Sequence, residues 1–579
     1  MRQFVGIQVP PWRSPRLSSD DHRMNAGESL VVPLTRLQER EGWLSPESLN
    51  ALAAELGVPM HRLESVSTFY THFRREAPAG VEVEVCRDLS CRMAGSAKAC
   101  ARLREVADGR ASTGPDSGQM EVREVSCLGR CDQAPAAAIG DRVLSAADPA
   151  EIEGVVDSGE AHRATPRPVR AWPSADPYAD PDAGPAYRVL RHVLEGSAST
   201  ATSNPRSNPI EALEAAGLRG MGGAGFPTAR KWSLVAAEPP TPKYVICNAD
   251  ESEPGTFKDR ELLHDLPHLV IEGMAIAAYC VGAARGTVFI RHEYAAERER
   301  LEAALEAART AGVLGESIFG SDFSFEIDVF VSPGGYILGE ETALLECIEG
   351  RRGEPRNKPP FPGTAGLYGQ PTVINNVETL VHAVSIVDRG ADWWHGLGRD
   401  GFSGQKFMSI SGDVAEPGVS LFAVGTPLAE VLVAHGGMKD GAEVLAIAPG
   451  GASSNFLGPE ALDLALDFDA LTAAGTMLGS GAAVFIAKGR DLLDVGLSIT
   501  RFFRNESCGK CVPCRLGSEK AVAMIEEAGG VSDETDAQLR SLHATMQQTS
   551  ICGLGQVALG PLLSILDRFP DARSPSDAI

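Results

Sequence analysis

The chain has 579 residues, which at about 150 residues per domain is too long for one hydrophobic core and predicts roughly four domains. It carries 53 Lys and Arg against 77 Asp and Glu, a net charge of −24. This acidity argues against nucleic acid or an anionic membrane surface as a main partner. The 43% hydrophobic fraction, against 22% charged residues, excludes a largely disordered chain.

Targeting signals are not visible in the sequence. No basic region followed by an apolar run stands near the N-terminus, so we expect no signal peptide and a cytoplasmic location. The longest uncharged window, residues 470–487, is rich in Gly, Ser and Thr. It predicts a buried glycine-rich loop running into a strand, and no membrane insertion. Twelve cysteines in such a chain favour metal or redox sites over disulfides.

The N-terminal elements are predicted from capping residues and periodicity. Polar, Pro-interrupted residues 1–30 predict a loosely ordered tail. A helix should begin after Ser45, which can cap it, and end at Gly57. A second short helix is expected from about His61 toward Phe73.

Strands follow in the same region. Residues 81–85 alternate strictly between Val and Glu and end at Cys86, which predicts a half-buried strand. Residues 122–125 predict another strand, and residues 136–144, broken at Gly140-Asp141, predict a hairpin. The sequence therefore predicts a small α/β domain over residues 30–161.

The remainder divides by composition. Six prolines between residues 165 and 185 predict a linker over 162–207. Residues 208–400 predict a larger α/β domain with helices packed on a sheet; its expected strands are Tyr244–Cys247, Thr287–Ile290 and Phe323–Val331. Short strands with Gly and Pro turns predict a β-rich module over 401–490, and residues 491–579 are predicted to be helical.

Two cysteine pairs lie in loops that follow predicted strands: Cys86 with Cys91, and Cys127 with Cys131. Adjacent strands would bring the two loops together, so four thiolates could converge. Soft thiolates hold iron bridged by sulfide, so an iron–sulfur cluster is the favoured interpretation. A structural zinc site is the alternative, although such sites favour tighter ligand spacing, often with His.

A second cysteine group lies near the C-terminus. Cys508, Cys511 and Cys514 follow one another at intervals of three, and Cys552 comes after a helical stretch. A C-x2-C-x2-C loop with a distant fourth cysteine is typical of a cubane [4Fe-4S] cluster. The remaining cysteines are interpreted as small buried hydrophobic residues: Cys100, Cys247, Cys280 and Cys347.

Several segments could hold a nucleotide. The glycine-rich loop over residues 220–227 allows a phosphate or a flat ring close to the backbone, and Lys231 could supply a cation. It matches neither the P-loop nor the dinucleotide fingerprint. The acidic segment 248–255 follows a predicted strand, where it could contact a ligand or form a solvated turn. Residues 334–341 begin a helix, where acidic side chains could contact a ligand or simply favour the helix dipole. Asn375 and Asn376 could bond a heteroaromatic ring or cap a helix.

Taken together, these segments make the chain resemble the flavoprotein NADH-binding subunit of respiratory complex I and its relatives. The resemblance runs from about Gly217 to the C-terminus through GLRGMGGAGFPT, CNADESEPGTFKDR, GGYILGEETALLECIEG, KPPFPG, TVINNVET, ESCGKCVPCRLG and ICGLG. Residues from about Leu44 to Leu144 are similar to the thioredoxin-like [2Fe-2S] subunit of complex I. The resemblance covers about four fifths of the chain.

The resemblance implies a multidomain α/β fold: a thioredoxin-like [2Fe-2S] domain, a Rossmann-like FMN and NAD domain, a β-grasp module and a C-terminal helical bundle with [4Fe-4S]. It implies that FMN is held by Gly220, Gly222, Gly223, Gly225, Lys231, Asn248, Asp250, Gly339, Asn375, Asn376 and Thr379. It implies contacts to the nicotinamide nucleotide from Phe226, Glu253, Glu341 and Phe361, with Tyr336 close to both ligands. Glu251, Glu340 and Ile374 complete the predicted cofactor-binding set. The predicted cluster ligands are Cys86, Cys91, Cys127 and Cys131 for [2Fe-2S], and Cys508, Cys511, Cys514 and Cys552 for [4Fe-4S].

The implied activity is hydride exchange between NAD(H) and FMN, with single electrons passing through the clusters. No catalytic acid or base is expected. Leu338 and Met221 stand where the complex I subunit usually has Cys and Arg, which argues against the complex I assignment. The fusion of the [2Fe-2S] and FMN modules in one chain resembles the soluble relatives of complex I. The favoured interpretation is therefore the β subunit of an NAD-dependent formate dehydrogenase. Its partner would be a catalytic subunit with further iron–sulfur clusters and a molybdenum or tungsten cofactor, in a hetero-oligomer.

Alternatives remain open at this point. One is the NADH-oxidising subunit of complex I or the diaphorase subunit of an NAD-reducing hydrogenase. Another is a zinc-stabilised scaffold without redox chemistry.

Overall fold

The computed structural model describes residues 29–78, 80–112, 119–159, 167–180, 186–196 and 208–574. The tail predicted over residues 1–30 lies almost wholly outside the described residues, as does part of the predicted linker. Among the helices of the described segments, none combines the length and the apolar character needed to cross a bilayer.

The N-terminal domain is built on a four-stranded mixed sheet. Strand β1 (Val81–Cys86) pairs in parallel with β2 (Met120–Val125), so that Cys86 lies opposite Val125. The predicted hairpin is present as β3 (Ala136–Ile139) and β4 (Arg142–Ser145), and β3 lies antiparallel beside β1. Helix α5 (Ser96–Ser112) packs on β1 and β2, and α6 (Pro149–Ser158) packs on α5. A separate core, shared with the large α/β domain, buries apolar residues of the other helices, which are α1 (Val31–Glu41), α2 (Pro46–Leu56), α3 (Met60–Ser67) and α4 (Leu89–Met93).

The bounds of the first three helices can be compared with the predictions from capping residues. Helix α2 begins and ends as predicted, because the Ser45 side chain accepts a hydrogen bond from the Ser48 N–H and Gly57 adopts a φ of 64°. Helix α3 ends at Ser67, short of the expected Phe73. Helix α1 was not predicted; its N-cap is Leu30, whose side chain makes no capping bond.

The predicted linker over residues 162–207 differs from expectation where it is described. Helix α7 (Arg188–Gly196) buries an apolar face of two Val and two Leu residues. Trp172 is also buried, and its indole N–H donates a 2.9 Å hydrogen bond to Asp265. Proline content predicted a linker, and buried apolar and aromatic side chains anchor the described parts of this segment to the large α/β domain.

The large α/β domain contains a four-stranded parallel sheet in the order β7-β6-β5-β8. The chain runs through β5 (Tyr244–Ala249), β6 (Arg285–Arg291) and β7 (Glu326–Ser332), and then returns to the other side of β5 as β8 (Thr372–Asn376). Strand β8 was not predicted, since its five residues lie within a segment whose asparagines suggested a ligand contact or a helix cap. The crevice between β5 and β8 is thus the topological switch point, where open α/β sheets bind ligands.

Two helices form the centre of this domain. Helix α11 (Pro267–Val281) is almost wholly buried and packs on α15 (Val377–Arg389). A Cβ atom added at Gly273 would lie 2.6 Å from the Leu380 carbonyl oxygen, so glycine is what permits this close approach. The other helices are α8 (Pro209–Ala216), α9 (Thr228–Ala236), α10 (Lys258–Asp265), α12 (Ala295–Thr310), α13 (Glu341–Ile348), α14 (Pro362–Ala365) and α16 (Ala391–Leu397).

The predicted β-rich module is a four-stranded sheet in the order β10-β9-β12-β11. The uncharged window 470–487 is the end of a helix, a glycine turn and the buried strand β12, as expected. The elements are β9 (Gln405–Gly412), β10 (Gly418–Ala423), α17 (Leu428–Ala434), β11 (Val444–Ala448), α18 (Phe468–Ala473) and β12 (Ala482–Ala487).

Helices make up the C-terminal region, as predicted. A Cβ atom at Gly517 would lie 2.5 Å from the Met546 sulfur, which shows how closely the second and third helices pack. The helices are α19 (Leu492–Asn505), α20 (Val512–Ala528), α21 (Asp533–Thr549), α22 (Gly553–Val557) and α23 (Gly560–Arg568). The predicted mixed α/β multidomain class is confirmed.

Candidate functional site

The predicted FMN residues converge at the carboxyl ends of β5 and β8. The two strands run in parallel, with Asn248 directly opposite Asn376. The Asn248 side-chain amide donates a 2.9 Å hydrogen bond to the Gly339 carbonyl, which joins this edge to the turn after β7. Asp250 is buried there, and its Oδ1 atom has no hydrogen-bond partner within the protein. An orphaned buried carboxylate oxygen is costly, so it suits a site completed by a bound polar ligand.

The glycine-rich loop closes over the same edge. The Gly220 N–H donates to the Phe226 carbonyl at 2.8 Å, and the Met221 N–H donates to Thr379 Oγ1 at 2.9 Å. A Cβ atom at Gly222 would lie 3.0 Å from the Cβ of Asn376, so the loop backbone lies against the end of β8. Gly223 has a φ of 127°, and a Cβ atom added there would lie 3.9 Å from the backbone of Gly479 and Ser480, in ordinary van der Waals contact. This glycine cradle fits a flat ring or a phosphate held by main-chain atoms.

Asn375 and Ile374 have structural partners at this edge. The Asn375 side-chain oxygen accepts a 2.8 Å hydrogen bond from the Trp232 indole. The Ile374 carbonyl accepts a 2.9 Å bond from the Lys231 ammonium. Burial lowers the pKa of Lys231, whose Nζ atom lies 3.9 Å from the Glu341 carboxylate. A phosphate near this lysine would stabilise its charged form, which burial disfavours.

Acidic residues on this edge divide into two groups by their partners. Glu251 accepts hydrogen bonds from the N–H groups of Asp259 and Arg260, at 2.8 and 3.1 Å, and from the Tyr294 hydroxyl at 3.0 Å. The Glu340 carboxylate caps α13. Both side chains thus have partners within the scaffold, and the predicted role of both residues in cofactor binding stays a prediction.

Glu253 has a different environment. Its Oε1 atom accepts hydrogen bonds from the Ser453 N–H, at 2.9 Å, and the Ser453 hydroxyl, and its Oε2 atom accepts from the Ser480 hydroxyl at 3.2 Å. Burial raises the pKa of Glu253, while these donors oppose that rise. Since a carboxylate offers about four acceptor positions, room remains for one hydroxyl of a ligand. Both serines belong to the β-rich module, and nothing in the local sequence marked them.

The aromatic residues also differ from one another. Phe226 and Phe361 are 40% and 59% exposed. Phe226 lies two residues before α9 and Phe361 directly precedes α14, and these two helices pack together. Exposed aromatic rings beside a polar cleft can stack on a heterocycle. Tyr336 is instead mostly enclosed, with its ring centroid 5.1 Å from that of Phe502.

A buried ionic network lies next to the end of β8. Lys258 pairs with Asp259 at 2.7 Å and with Glu378 at 3.0 Å, and Lys406 also bonds Glu378. Asp259 in turn accepts a hydrogen bond from the Asn376 side chain. Burial lowers the pKa of Lys406 to about 8. The network fixes Asn376, and neither of its lysines was predicted as a site residue.

The first cysteine group assembles as predicted from the parallel pairing of β1 and β2. All four thiols are buried, and the sulfur atoms of Cys127 and Cys131 are 3.6 Å apart. Two sulfurs at about 2.3 Å from one tetrahedral metal would be about 3.7 Å apart. Backbone N–H groups donate to the sulfurs of Cys127, Cys91 and Cys131. Four thiols with N–H donors suit a [2Fe-2S] cluster, because such bonds stabilise thiolate charge.

The second cysteine group lies between the C-terminal helices. Cys508 and Cys511 are in the loop between α19 and α20, Cys514 is in the first turn of α20, and Cys552 caps α22. A Cβ atom at Gly555 would lie 2.9 Å from the Cys514 Cβ, so the two segments meet closely. N–H groups of the α22 first turn face the Cys552 thiol. The arrangement suits the [4Fe-4S] cluster expected from the spacing.

Three of the four other cysteines are buried as predicted, and the fourth is not fully buried. Cys100, Cys247 and Cys347 are buried and Cys280 is half-buried. Within the described residues, no three His, Cys, Asp or Glu side chains form a site for a single metal ion.

Four family models match the chain. They are the Nuo51 FMN-binding domain over residues 213–385, the thioredoxin-like [2Fe-2S] ferredoxin over 19–160, the NADH-ubiquinone oxidoreductase-F iron-sulfur binding region over 494–574, and the SLBB domain over 408–455. The FMN, [2Fe-2S] and [4Fe-4S] cofactor predictions are thereby confirmed, and NAD is consistent with them.

Curated relatives and solved structures agree with these matches. The second F-type subunit of the NADH-quinone oxidoreductase of Rhizobium meliloti is 43% identical over 390 residues, which are 67% of this chain and 91% of that protein. The HndC subunit of the NADP-reducing hydrogenase of Solidesulfovibrio fructosivorans is 40% identical over 66% of this chain and 78% of its own length. A chain of an NAD+-reducing [NiFe]-hydrogenase, in the H2-reduced state, superimposes with a TM-score of 0.81 at 31% identity and covers 95% of both chains.

Proposed function

The chain belongs to the family of the F-type subunits of NADH-quinone oxidoreductase, and we propose that it is the diaphorase subunit of a hetero-oligomeric NAD-linked oxidoreductase. One observation carries this proposal. The glycine-rich loop, the ends of β5 and β8 and the turn after β7 meet at a single edge, and two cysteine groups flank that edge in the same chain.

The protein's own residues would bind and orient the reactants. Bound FMN supplies the exchange between hydride transfer with NAD(H) and one-electron transfer to clusters. Gly222 and Gly223 admit the ligand to the backbone, and Lys231 offers a cation to its phosphate. Exposed rings at Phe226 and Phe361 stack on the nucleotide. Alignment, not proton transfer, is the task of these residues.

Selectivity for NAD over NADP would come from carboxylates. Glu253 and Glu341 accept hydrogen bonds from ribose hydroxyls and repel a 2′-phosphate. Glu253 is held for this role by Ser453 and Ser480. Its restrained carboxylate is aimed before the ligand arrives, which lowers the cost of binding.

As the partner, we propose the catalytic subunit of an NAD-dependent formate dehydrogenase, with molybdenum or tungsten and further iron–sulfur clusters. The fusion of the [2Fe-2S] and FMN modules supports a soluble cytoplasmic complex, as do Leu338 and Met221. Nothing in the sequence suggests a group that activates formate or hydrogen, so the partner must supply that half-reaction.

A hydrogenase partner is the second candidate. The similarity to the chain of the NAD+-reducing [NiFe]-hydrogenase over 95% of both chains favours it, since that chain shares the entire layout. Both candidates require the same diaphorase chemistry here and differ only in the partner's metal.

Co-purification from the native host followed by metal analysis distinguishes the partners. Molybdenum or tungsten with formate-dependent NAD reduction is the expected result. Nickel with hydrogen-dependent reduction would replace the formate dehydrogenase assignment with the hydrogenase. Recovery in a membrane-bound quinone reductase would point to complex I.

Iron and acid-labile sulfide analysis of the purified chain tests the clusters themselves. We expect about six irons per chain, for one [2Fe-2S] and one [4Fe-4S] cluster, falling to about two in Cys552→Ser. Cys280→Ser is the matched control, because that half-buried thiol lies in the large α/β domain. Zinc without sulfide in the wild-type chain would instead favour the non-redox scaffold.

A further inference from the structure

Glu506 connects parts of the chain that lie far apart in sequence. It ends α19, two residues before Cys508. Its Oε2 atom accepts a 2.7 Å hydrogen bond from the Tyr336 N–H, and its Oε1 atom accepts one from the Ser126 hydroxyl. The two donors come from two other domains, separated from Glu506 by 170 and 380 residues.

Ser126 belongs to the first cysteine group. It directly precedes Cys127, and its hydroxyl oxygen also accepts a 3.4 Å hydrogen bond from the guanidinium of Arg87. Arg87 directly follows Cys86, and its backbone N–H donates to the Val125 carbonyl. The Glu506 carboxylate is therefore hydrogen-bonded to the segment that follows β2, next to the cysteines at the ends of β1 and β2.

Tyr336 belongs to what we call the nucleotide edge, namely the carboxyl ends of β5 and β8 together with the turn after β7. It begins the 3-10 turn Tyr336–Gly339, which leads into Glu340 and Glu341. Its ring packs against Phe502 and Phe503, with centroids 5.1 and 6.1 Å apart, on the same helix that Glu506 ends. One carboxylate thus fixes the start of the [4Fe-4S] loop to both the [2Fe-2S] loop and the nucleotide edge.

From this arrangement we infer that Glu506 is a positioning residue shared by both cluster sites. It holds the loops of the two sites together and places one negative charge between them. The inference rests on the proposed cluster ligands. Reduction adds an electron to a cluster, so a nearby carboxylate disfavours reduction by charge repulsion.

A charge between two clusters must act on both. Glu506→Gln keeps the size of the side chain and one acceptor oxygen but removes the charge. We therefore expect the midpoint potentials of both clusters to shift to more positive values. A residue that served only its own loop would shift the [4Fe-4S] potential alone.

The experiment is a redox titration of the full chain, with both clusters reconstituted, followed by EPR spectroscopy. Glu519→Gln is the matched control. It removes one carboxylate from α20 in the same region, but that side chain is 63% exposed and is screened by solvent and salt. Its potentials should equal those of the wild type.

Each outcome decides the inference. Positive shifts of both potentials support it, and an unchanged potential of either cluster overturns it. If Glu506→Gln does not load both clusters while the control does, Glu506→Asp is also measured. Loss of both clusters in both variants, or their recovery with the charge-retaining Asp, supports the shared role. Loss of the [4Fe-4S] cluster alone overturns it. Wild-type protein without cluster signals would refute the proposed function instead.

Discussion

The backbone N–H of Gly255 donates a hydrogen bond to the Sγ atom of Cys131, 3.3 Å away. Gly255 ends the acidic segment that follows β5, so the nucleotide edge and the [2Fe-2S] loop are in direct contact. A φ of 97° and a Val484 methyl group 3.0 Å from any added Cβ make glycine necessary there. The segment after β5 is therefore packed directly against the loop that carries Cys131.

Two buried arginines complete this contact. The Arg291 guanidinium donates to the Cys127 carbonyl at 2.6 Å, and that of Arg260 donates to the Gly129 carbonyl at 2.7 Å. Both arginines come from the large α/β domain. Charge-assisted bonds to main-chain carbonyls hold the thiol loop at a fixed position against that domain.

Ser453→Ala should weaken NADH binding through Glu253. Losing a hydroxyl donor to a carboxylate costs about 1 kcal/mol, so we expect KM for NADH to rise about fivefold. The donor also opposes the burial that raises the pKa of Glu253. Without it the carboxylate is protonated at higher pH, so the loss of affinity on acidification should begin at higher pH. Steady-state kinetics from pH 5.5 to 8.5 measures both effects.

The control for this prediction is Ser420→Ala, in strand β10 of the same module. It should leave KM and its pH profile at wild-type values. An unchanged pH profile in Ser453→Ala would show that Glu253 does not depend on this contact.

Phe361→Ala should reduce affinity for NADH without affecting the fold. The ring is 59% exposed, so its removal costs little stability. Stacking on a base is worth about 1 to 3 kcal/mol, which predicts at least a fivefold rise in KM. FMN content and the melting temperature should be unchanged. Val433→Ala, at a side chain 74% exposed, is the control; equal KM values in the two variants would exclude a stacking role for Phe361.

Gly222→Ala should impair FMN binding. The added methyl would lie 3.0 Å from the Asn376 Cβ, so the loop must move away from β8. We expect flavin per chain, measured by absorbance of the released cofactor, to fall severalfold. Gly154→Ala is the control, since a Cβ there meets nothing within 4 Å in the middle of α6. Full flavin content in Gly222→Ala would contradict the proposed cradle.

Glu272 should make the anchoring of the predicted linker pH-dependent. Burial raises its pKa from 4.5 to about 7, while it accepts hydrogen bonds from the Leu190 N–H and the Tyr178 hydroxyl. The folded pKa lies above the unfolded value, so this stabilisation is complete below pH 4.5. It is lost as pH rises through about 7, and its upper limit is about 3 kcal/mol.

Limited proteolysis of residues 167–196 measures this effect. We expect cleavage in the wild type to quicken as pH rises from 4.5 to about 7 and then to level off. Glu272→Gln stays neutral and should show a flat profile. A pH effect of equal size in both proteins would assign it to other groups.

The sequence alone determined the features that local patterns encode. Helix α2 followed from its cap and stop residues, β1 from alternation, and the two cysteine groups from their spacing. Such signals depend on neighbouring residues within one or two turns, so they are readable without knowledge of the fold. The family motifs added the cofactors in the same way.

Only the tertiary structure decided how the domains serve the site. Ser453 bonds Glu253 across 200 residues of sequence, and Ser126 bonds Glu506 across 380. Strand β8 was recognised only from its pairing with β5. The packing of the predicted linker was recognised only from the side chains that it buries. No local periodicity or residue spacing predicts these contacts. They form only when separate elements pack and bring side chains that are distant in sequence within hydrogen-bond distance.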